Sequence, residues 1–155
     1  MLSLKNMRSR LSKDRGGFTI VELLIVIVVI GILAALVIVT YNGIQQKARD
    51  TERKTDVKAL QGQLEAYWAN NAKYPTMDQL NDAAFRNANM KGLDPAALAD
   101  PKNAASQAVC ASTAANCYGY SVTPAGCDNS TTDCDNYSLT ATLESGGTFS
   151  VQSNN

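Results

Sequence analysis

The chain has 155 residues, enough for one modest domain, with 45% hydrophobic and 18% charged residues and 14 Lys plus Arg against 14 Asp plus Glu. It has no histidine, which removes the commonest general base and metal ligand and argues against hydrolytic triads and most zinc sites. The balanced charge is segregated: Lys5, Arg8, Arg10, Lys13 and Arg15 precede Phe18 against Asp14 alone, whereas Asp128, Asp133, Asp135 and Glu144 follow Asn103 with no Lys or Arg among them. A basic head and an acidic tail do not make the clustered basic face of a nucleic-acid-binding surface, so direct nucleic-acid binding is not expected.

After the basic head comes Gly16-Gly17, and then an apolar run from Phe18 to Tyr41 in which Glu22 is the only ionisable group apart from the terminal tyrosine. As a helix rising about 1.5 Å per residue, Leu23 to Tyr41 covers roughly 28 Å, close to the hydrocarbon thickness of a bilayer. A secretory signal peptide wants a shorter apolar core followed by a small-residue cleavage site, and here the small-residue site precedes the run. A permanent single-pass anchor accounts for the length but gives no reason for Glu22 or for the diglycine. Lys and Arg flank the span equally, five on each side, so the positive-inside rule does not orient it.

The stretch RGGFTIVELLIVIVVIGILAALVIVTY resembles the N-terminal signature of type IV pilins and secretion pseudopilins. The resemblance implies that residues 1–17 are a cytoplasmic leader removed by a membrane-embedded prepilin peptidase, which cuts between Gly17 and Phe18, and that the new Phe18 terminus is N-methylated. It also implies that Glu22 serves assembly into a helical homo-oligomeric filament, built by a platform protein and a cytoplasmic ATPase. Residues 18–41 would form the transmembrane and filament-core half of a long helix. Residues 42–155 would form a globular domain outside the cytoplasm that includes the helix's second half. Many members of the family carry proline where this chain has Val39, so the helix is not expected to lose a backbone donor there.

Asn42-Gly43 is a soft spot, but helical character resumes at Ile44. Opposite charges at Asp50/Lys54, Arg49/Glu52 and Arg53/Asp56 sit at spacings that adjoin on a helix, and read either as a solvated face, which is preferred, or as subunit-to-subunit pairing. Val57, Leu60, Leu64 and Tyr67/Trp68 recur at helical spacing as a stripe that needs a cover. One helix over about 19–71 is predicted, ending before Tyr74-Pro75, with its second half packed on a small sheet. Thr76-Met-Asp-Gln79 has the form of a capping box and predicts a short helix to Phe85 or Arg86. Asp94-Pro95 predicts a single turn through Leu98. Strand patterning falls on Tyr118 to Val122, Tyr137 to Leu143 and Thr148 to Val151, the last two joined by Glu-Ser-Gly-Gly as a hairpin. The expected fold is α+β and pilin-like: one very long helix on a minimal antiparallel sheet.

Cys110, Cys117, Cys127 and Cys134 form an even, clustered set without CxxC spacing, which reads as disulfides made outside the cytoplasm, with zinc as the weaker alternative. Disulfides require the C-terminal part to lie outside, which settles the orientation that charge leaves tied. Three connectivities are open; Cys110 with Cys117 and Cys127 with Cys134 is favoured, each closing a loop near the start of a strand. Asp128, Asp133 and Asp135 have oxygen-ligand chemistry but lack the EF-hand order, and a solvated acidic loop is the preferred reading. No active site, metal site or cofactor is expected. The leading functional expectation is a structural, non-enzymatic subunit of an extracellular type IV pilus, serving adhesion, twitching motility or DNA uptake. The alternatives are a type II secretion pseudopilin and a monomeric membrane-tethered binding domain.

Overall fold

The computed structural model describes residues 17–155; the basic leader before Gly17 lies outside the described residues. The element order is helix α1 (Ile20–Asn71), helix α2 (Met77–Asn81), helix α3 (Ala83–Asn89), a 3-10 turn (Pro95–Leu98), and strands β1 (Gly119–Thr123), β2 (Asn136–Thr142) and β3 (Thr148–Gln152). This is the α+β, pilin-like arrangement expected. The chain divides after Thr40 into an N-terminal unit and a second unit, Tyr41–Asn155.

In the N-terminal unit α1 is apolar on every side. Its large side chains are all exposed, from Phe18 at 84% just before the helix to Val26 at 46%. This is the one helix among the described residues long and apolar enough to cross a membrane. A helix that is hydrophobic all round needs an apolar surrounding of some kind. No proline interrupts it, and the Thr40 hydroxyl donates back to the carbonyls of Leu36 and Val37 at 3.1 and 3.0 Å.

In the second unit α1 buries Asp50, Arg53, Val57, Leu60, Leu64 and Tyr67, a 3-4-3-4-3 spacing that keeps one helix face turned inward. The helix ends where Ala72 takes a left-handed φ of 55°, while its N–H still reaches the Trp68 carbonyl at 2.7 Å. Thr76 and Gln79 form the reciprocal capping box that opens α2. The predicted second helix is two: Asp82 is extended, closes α2 with its N–H and caps α3 by accepting from the Ala84 N–H at 2.9 Å, and α3 runs on to Asn89. Asp94 caps the 3-10 turn in the same way.

The sheet is antiparallel in the order β1-β2-β3, with Tyr120 opposite Leu139 and Leu139 opposite Val151. One face carries Tyr120, Tyr137, Leu139 and Ala141 into the same apolar core as the α1 stripe, Tyr74, Leu80 and Leu98. Cys110 pairs with Cys117 and Cys127 with Cys134, at Cα separations of 6.1 and 5.3 Å, within the usual range for a disulfide. The first bridge sits against β1, since Cys110 donates to the Tyr118 carbonyl and accepts from the Tyr120 N–H, both at 2.8 Å. The second brings the Cys134 carbonyl to the Tyr74 N–H at 2.8 Å, just past the end of α1.

Candidate functional site

Gly17 and Phe18 stand exposed immediately before α1, and a Cβ built on Gly17 meets no atom within 4 Å. Nothing among the described residues crowds a side chain there. Thr19 precedes α1 and closes a second capping box: its hydroxyl accepts from the Glu22 N–H at 3.2 Å. In return the Glu22 carboxylate accepts from the Thr19 N–H at 2.8 Å and the Thr19 hydroxyl at 2.7 Å. The carboxylate is thus held at the positive end of the helix, in front of an apolar segment with no other charge. Thr19-x-x-Glu22 is the same signature as Thr76-x-x-Gln79, and sequence reading found only the latter.

The four cysteines lie in the second unit, joined as described. The Asp128 carboxylate is engaged by its own loop, accepting from the N–H groups of Ser130, Thr131 and Thr132 at 2.9, 2.8 and 3.3 Å, and these donors hold it well below the usual carboxylate range. Asp133 pairs with Lys73 at 2.9 Å, and the same ammonium donates to the Asn129 carbonyl at 3.0 Å. Among the described residues no three metal-ligating side chains converge.

The charged run of α1 departs from the solvated helix face preferred on sequence grounds. Asp50 and Arg53 are 4% and 2% exposed. The Arg53 guanidinium donates to both Asp100 oxygens at 2.7 and 3.0 Å, to Asp50 at 2.9 Å and to Glu144 at 3.0 Å. Glu144 also accepts two bonds from Arg49, at 2.7 and 2.8 Å, and lies 2.9 Å from the Lys102 ammonium. Asp50 accepts the Glu144 and Ser145 N–H groups at 2.7 and 2.9 Å, which fastens the β2–β3 turn to α1. Burial pushes the Asp50 carboxyl up, but the donors from Ser145, Glu144 and Arg53 outweigh it and hold it at about 2. Arg49 above all, with Lys102 and Arg53, holds Glu144 well below the ordinary range. Three cations thus meet three carboxylates, and apart from Asp50 with Arg53 the pairs join residues far apart in sequence. The signal was available: Asp50 and Arg53 are in phase with Val57, Leu60, Leu64 and Tyr67.

Two further polar groups border the core. Glu65 accepts from the hydroxyls of Tyr74 at 3.0 Å and Tyr137 at 2.9 Å, and, nearer the ionic cluster, Tyr118 donates to Asp56 at 2.7 Å. Burial foremost, with the adjoining carboxylates, raises the pKa of all three tyrosines. These hydroxyls are hydrogen-bond donors that let large rings enter the core with their polar ends satisfied.

Residues 12–38 match the family described as the prokaryotic N-terminal methylation motif. The N-terminal segment is that of a type IV pilin-like protein. This prepilin-type chain is similar to type II secretion system core protein G of Dickeya chrysanthemi, at 38% identity over 69 residues that make up 44% of this chain and 45% of the relative. It is similar also to core protein G of Aeromonas hydrophila, at 39% over 71 residues (46% and 50%), and of Vibrio cholerae, at 39% over 67 residues (43% and 46%). The chain spans about half the length of the curated relatives it matches. No solved structure gives a significant match.

Proposed function

We propose that this chain is a non-enzymatic, pseudopilin-type subunit of a filament in a type II secretion machine. The observation that carries the reading is the prepilin-type signature, Gly17-Phe18 followed by Glu22, at the head of an apolar helix that the chain itself leaves uncovered. The similarity to secretion core protein G favours this over the extracellular pilus that led the sequence reading. A prepilin peptidase cuts between Gly17 and Phe18, Phe18 is N-methylated, and the second unit faces the space outside the cytoplasmic membrane, where the cysteines oxidise. Cleavage creates an ammonium four residues before Glu22. In the filament that cation pairs with the Glu22 carboxylate of a neighbouring copy, within a low-dielectric core where such pairing counts for more than in water. A platform protein and a cytoplasmic ATPase drive assembly.

The test is replacement of Glu22 by Val as the sole copy in the producing cell. The expected protein is inserted, cleaved and disulfide-bonded but fails to enter filaments, and secretion of the machine's substrates falls with it. Filaments of normal number and length from Glu22→Val subunits overturn the assembly role. Normal secretion from cells lacking the protein altogether, with surface fibres lost, returns the reading to an extracellular pilus.

A further inference from the structure

The face of the sheet turned away from α1 has an unusual chemistry. Its cross-strand neighbours run Ser121, Ser138, Gln152 in one row, Thr123 and Asn136 in the next, and Thr140 with Ser150 and Thr142 with Thr148 beyond. Every one of these side chains is an alcohol or an amide, and none is charged. All are exposed or half-buried. At one end the face dips into a recess of about 320 Å³ lined by Ser121, Thr123, Asn136, Ser138, Gln152 and Ser153, together with Tyr137 and Asn155.

Part of the recess is set rigidly. The Ser153 hydroxyl donates to the Asn136 side-chain oxygen at 3.0 Å, and Asn155 bridges the Tyr74 hydroxyl and the Asp135 carbonyl at 3.0 and 2.9 Å. The side chains of Ser121, Thr123, Ser138 and Gln152 have no hydrogen-bond partner among the described residues, so their donors and acceptors are free for a ligand. A charged ligand meets no counter-charge there, because no Asp, Glu, Lys or Arg lines the recess. An apolar ligand would strip water from hydroxyls and amides without replacing their hydrogen bonds. A protein partner would normally find an apolar centre with aromatic or arginine anchors, which this face lacks.

The geometry points to a binding site for a neutral saccharide in the recess at the Ser121–Ser138–Gln152 end of the sheet. A sugar ring offers the matching array of hydroxyls that both donate and accept, carries no charge, and fits a shallow polar depression on rigid strands. The site belongs to the second unit alone and does not depend on filament formation.

The experiment uses the full chain in a non-glycosidic detergent, presented to an array of neutral oligosaccharides built from hexoses, N-acetylhexosamines and deoxyhexoses, with sulfated and sialylated counterparts. Neutral members are expected to bind, and calorimetry on the best of them should show about tenfold weakening in the Ser121→Ala/Gln152→Ala double variant, which loses two hydrogen-bonding side chains. Ser138→Leu, which replaces the central hydroxyl of the row by an apolar chain, should abolish binding, and Thr148→Ala, at the far end, should leave it unchanged. Melting temperature confirms that each variant is folded. If Ser138→Leu does not fold, the exposed double variant carries the test. No binding to any neutral oligosaccharide overturns the proposal. So does a preference for the acidic ones, or neutral binding that the double variant leaves intact. Concentration-dependent self-association lost in the double variant assigns the face to a second copy of the chain instead.

Discussion

The Glu22 carboxylate accepts both the backbone N–H and the hydroxyl of Thr19 and closes a capping box at the start of α1. One carboxylate therefore has two candidate duties, starting its own helix and pairing with a neighbour, and the two separate by mutation. Thr19→Ala removes the cap and keeps the carboxylate, at a helix cost of about 1 kcal/mol. Assembly in Thr19→Ala is expected near normal while Glu22→Val is defective, read by shearing filaments from cells and weighing the subunit recovered. Equal defects in the two variants would make capping the whole of the role of Glu22.

Processing should depend on Gly17 without any help from folding. Because a Cβ at Gly17 meets nothing among the described residues, Gly17→Leu is expected to leave melting of the second unit unchanged and the leader attached. Mass spectrometry of the wild-type subunit should find a chain starting at a methylated Phe18. A wild-type subunit that retains residues before Phe18 refutes the cleavage assignment.

Arg53 holds three carboxylates with a single planar fork, so its loss should be costly. Arg53→Met leaves Asp50 and Asp100 buried without their cation and is expected to destabilise by about 3–5 kcal/mol. Arg53→Lys restores the charge but cannot span Asp100, Asp50 and Glu144 together and should recover only part of the loss. Urea denaturation of the three proteins measures this directly.

Stability should fall in acid, and Asp50 gives the window. Its carboxyl is held at about 2 in the folded chain, below the ordinary value of about 3.9. Its stabilisation is thus complete above about pH 4 and lost as pH falls toward 2. Asp100, Glu144 and Asp128 shift the same way, while burial raises Asp56 and opposes them. Melting scans between pH 7 and pH 2 should show Asp50→Asn already weaker at neutral pH, with a shallower decline in acid. Parallel curves for the two proteins would exclude Asp50 as a contributor.

The two disulfides should differ in access. Cys127 and Cys134 are 8% and 0% exposed, while Cys110 and Cys117 are half-buried. Graded reductant followed by alkylation should label Cys110 and Cys117 first. Each bridge closes a loop of sequence separation 7, so full reduction should remove roughly 2–3 kcal/mol per bridge.

Local chemistry made much of this fold readable before any coordinates. Thr76 and Gln79, Asp94 with Pro95, and the Glu-Ser-Gly-Gly turn each act within a few residues, and each stands where its signature put it. Asp82 was missed because a residue that caps two helices at once looks, in sequence, like one polar position inside a longer helix. The ionic cluster was missed for a different reason. Neighbouring opposite charges on a helix suggest one another as partners, and beyond the i,i+3 bond of Arg53 to Asp50 the partners of Arg49 and Arg53 are Asp100 and Glu144, across loops that no spacing rule connects. Glu65 likewise gives no sign in sequence that two tyrosine hydroxyls from elsewhere will point at it. The polar sheet face follows from strict alternation in β2 and β3, but the recess at its end depends on how residues 152–155 fold back.

The bond between Arg49 and Glu144 spans 95 positions of the chain, and this sets an order of events during synthesis. Cations on the helix emerge first, and the carboxylate that neutralises them follows only 95 positions later. Until the turn containing Ser145 has been made, the inward face of the helix stays open at its charged end. Contacts of such long range are slow to close, so the charged end of the core is completed only when the β2–β3 turn docks on α1.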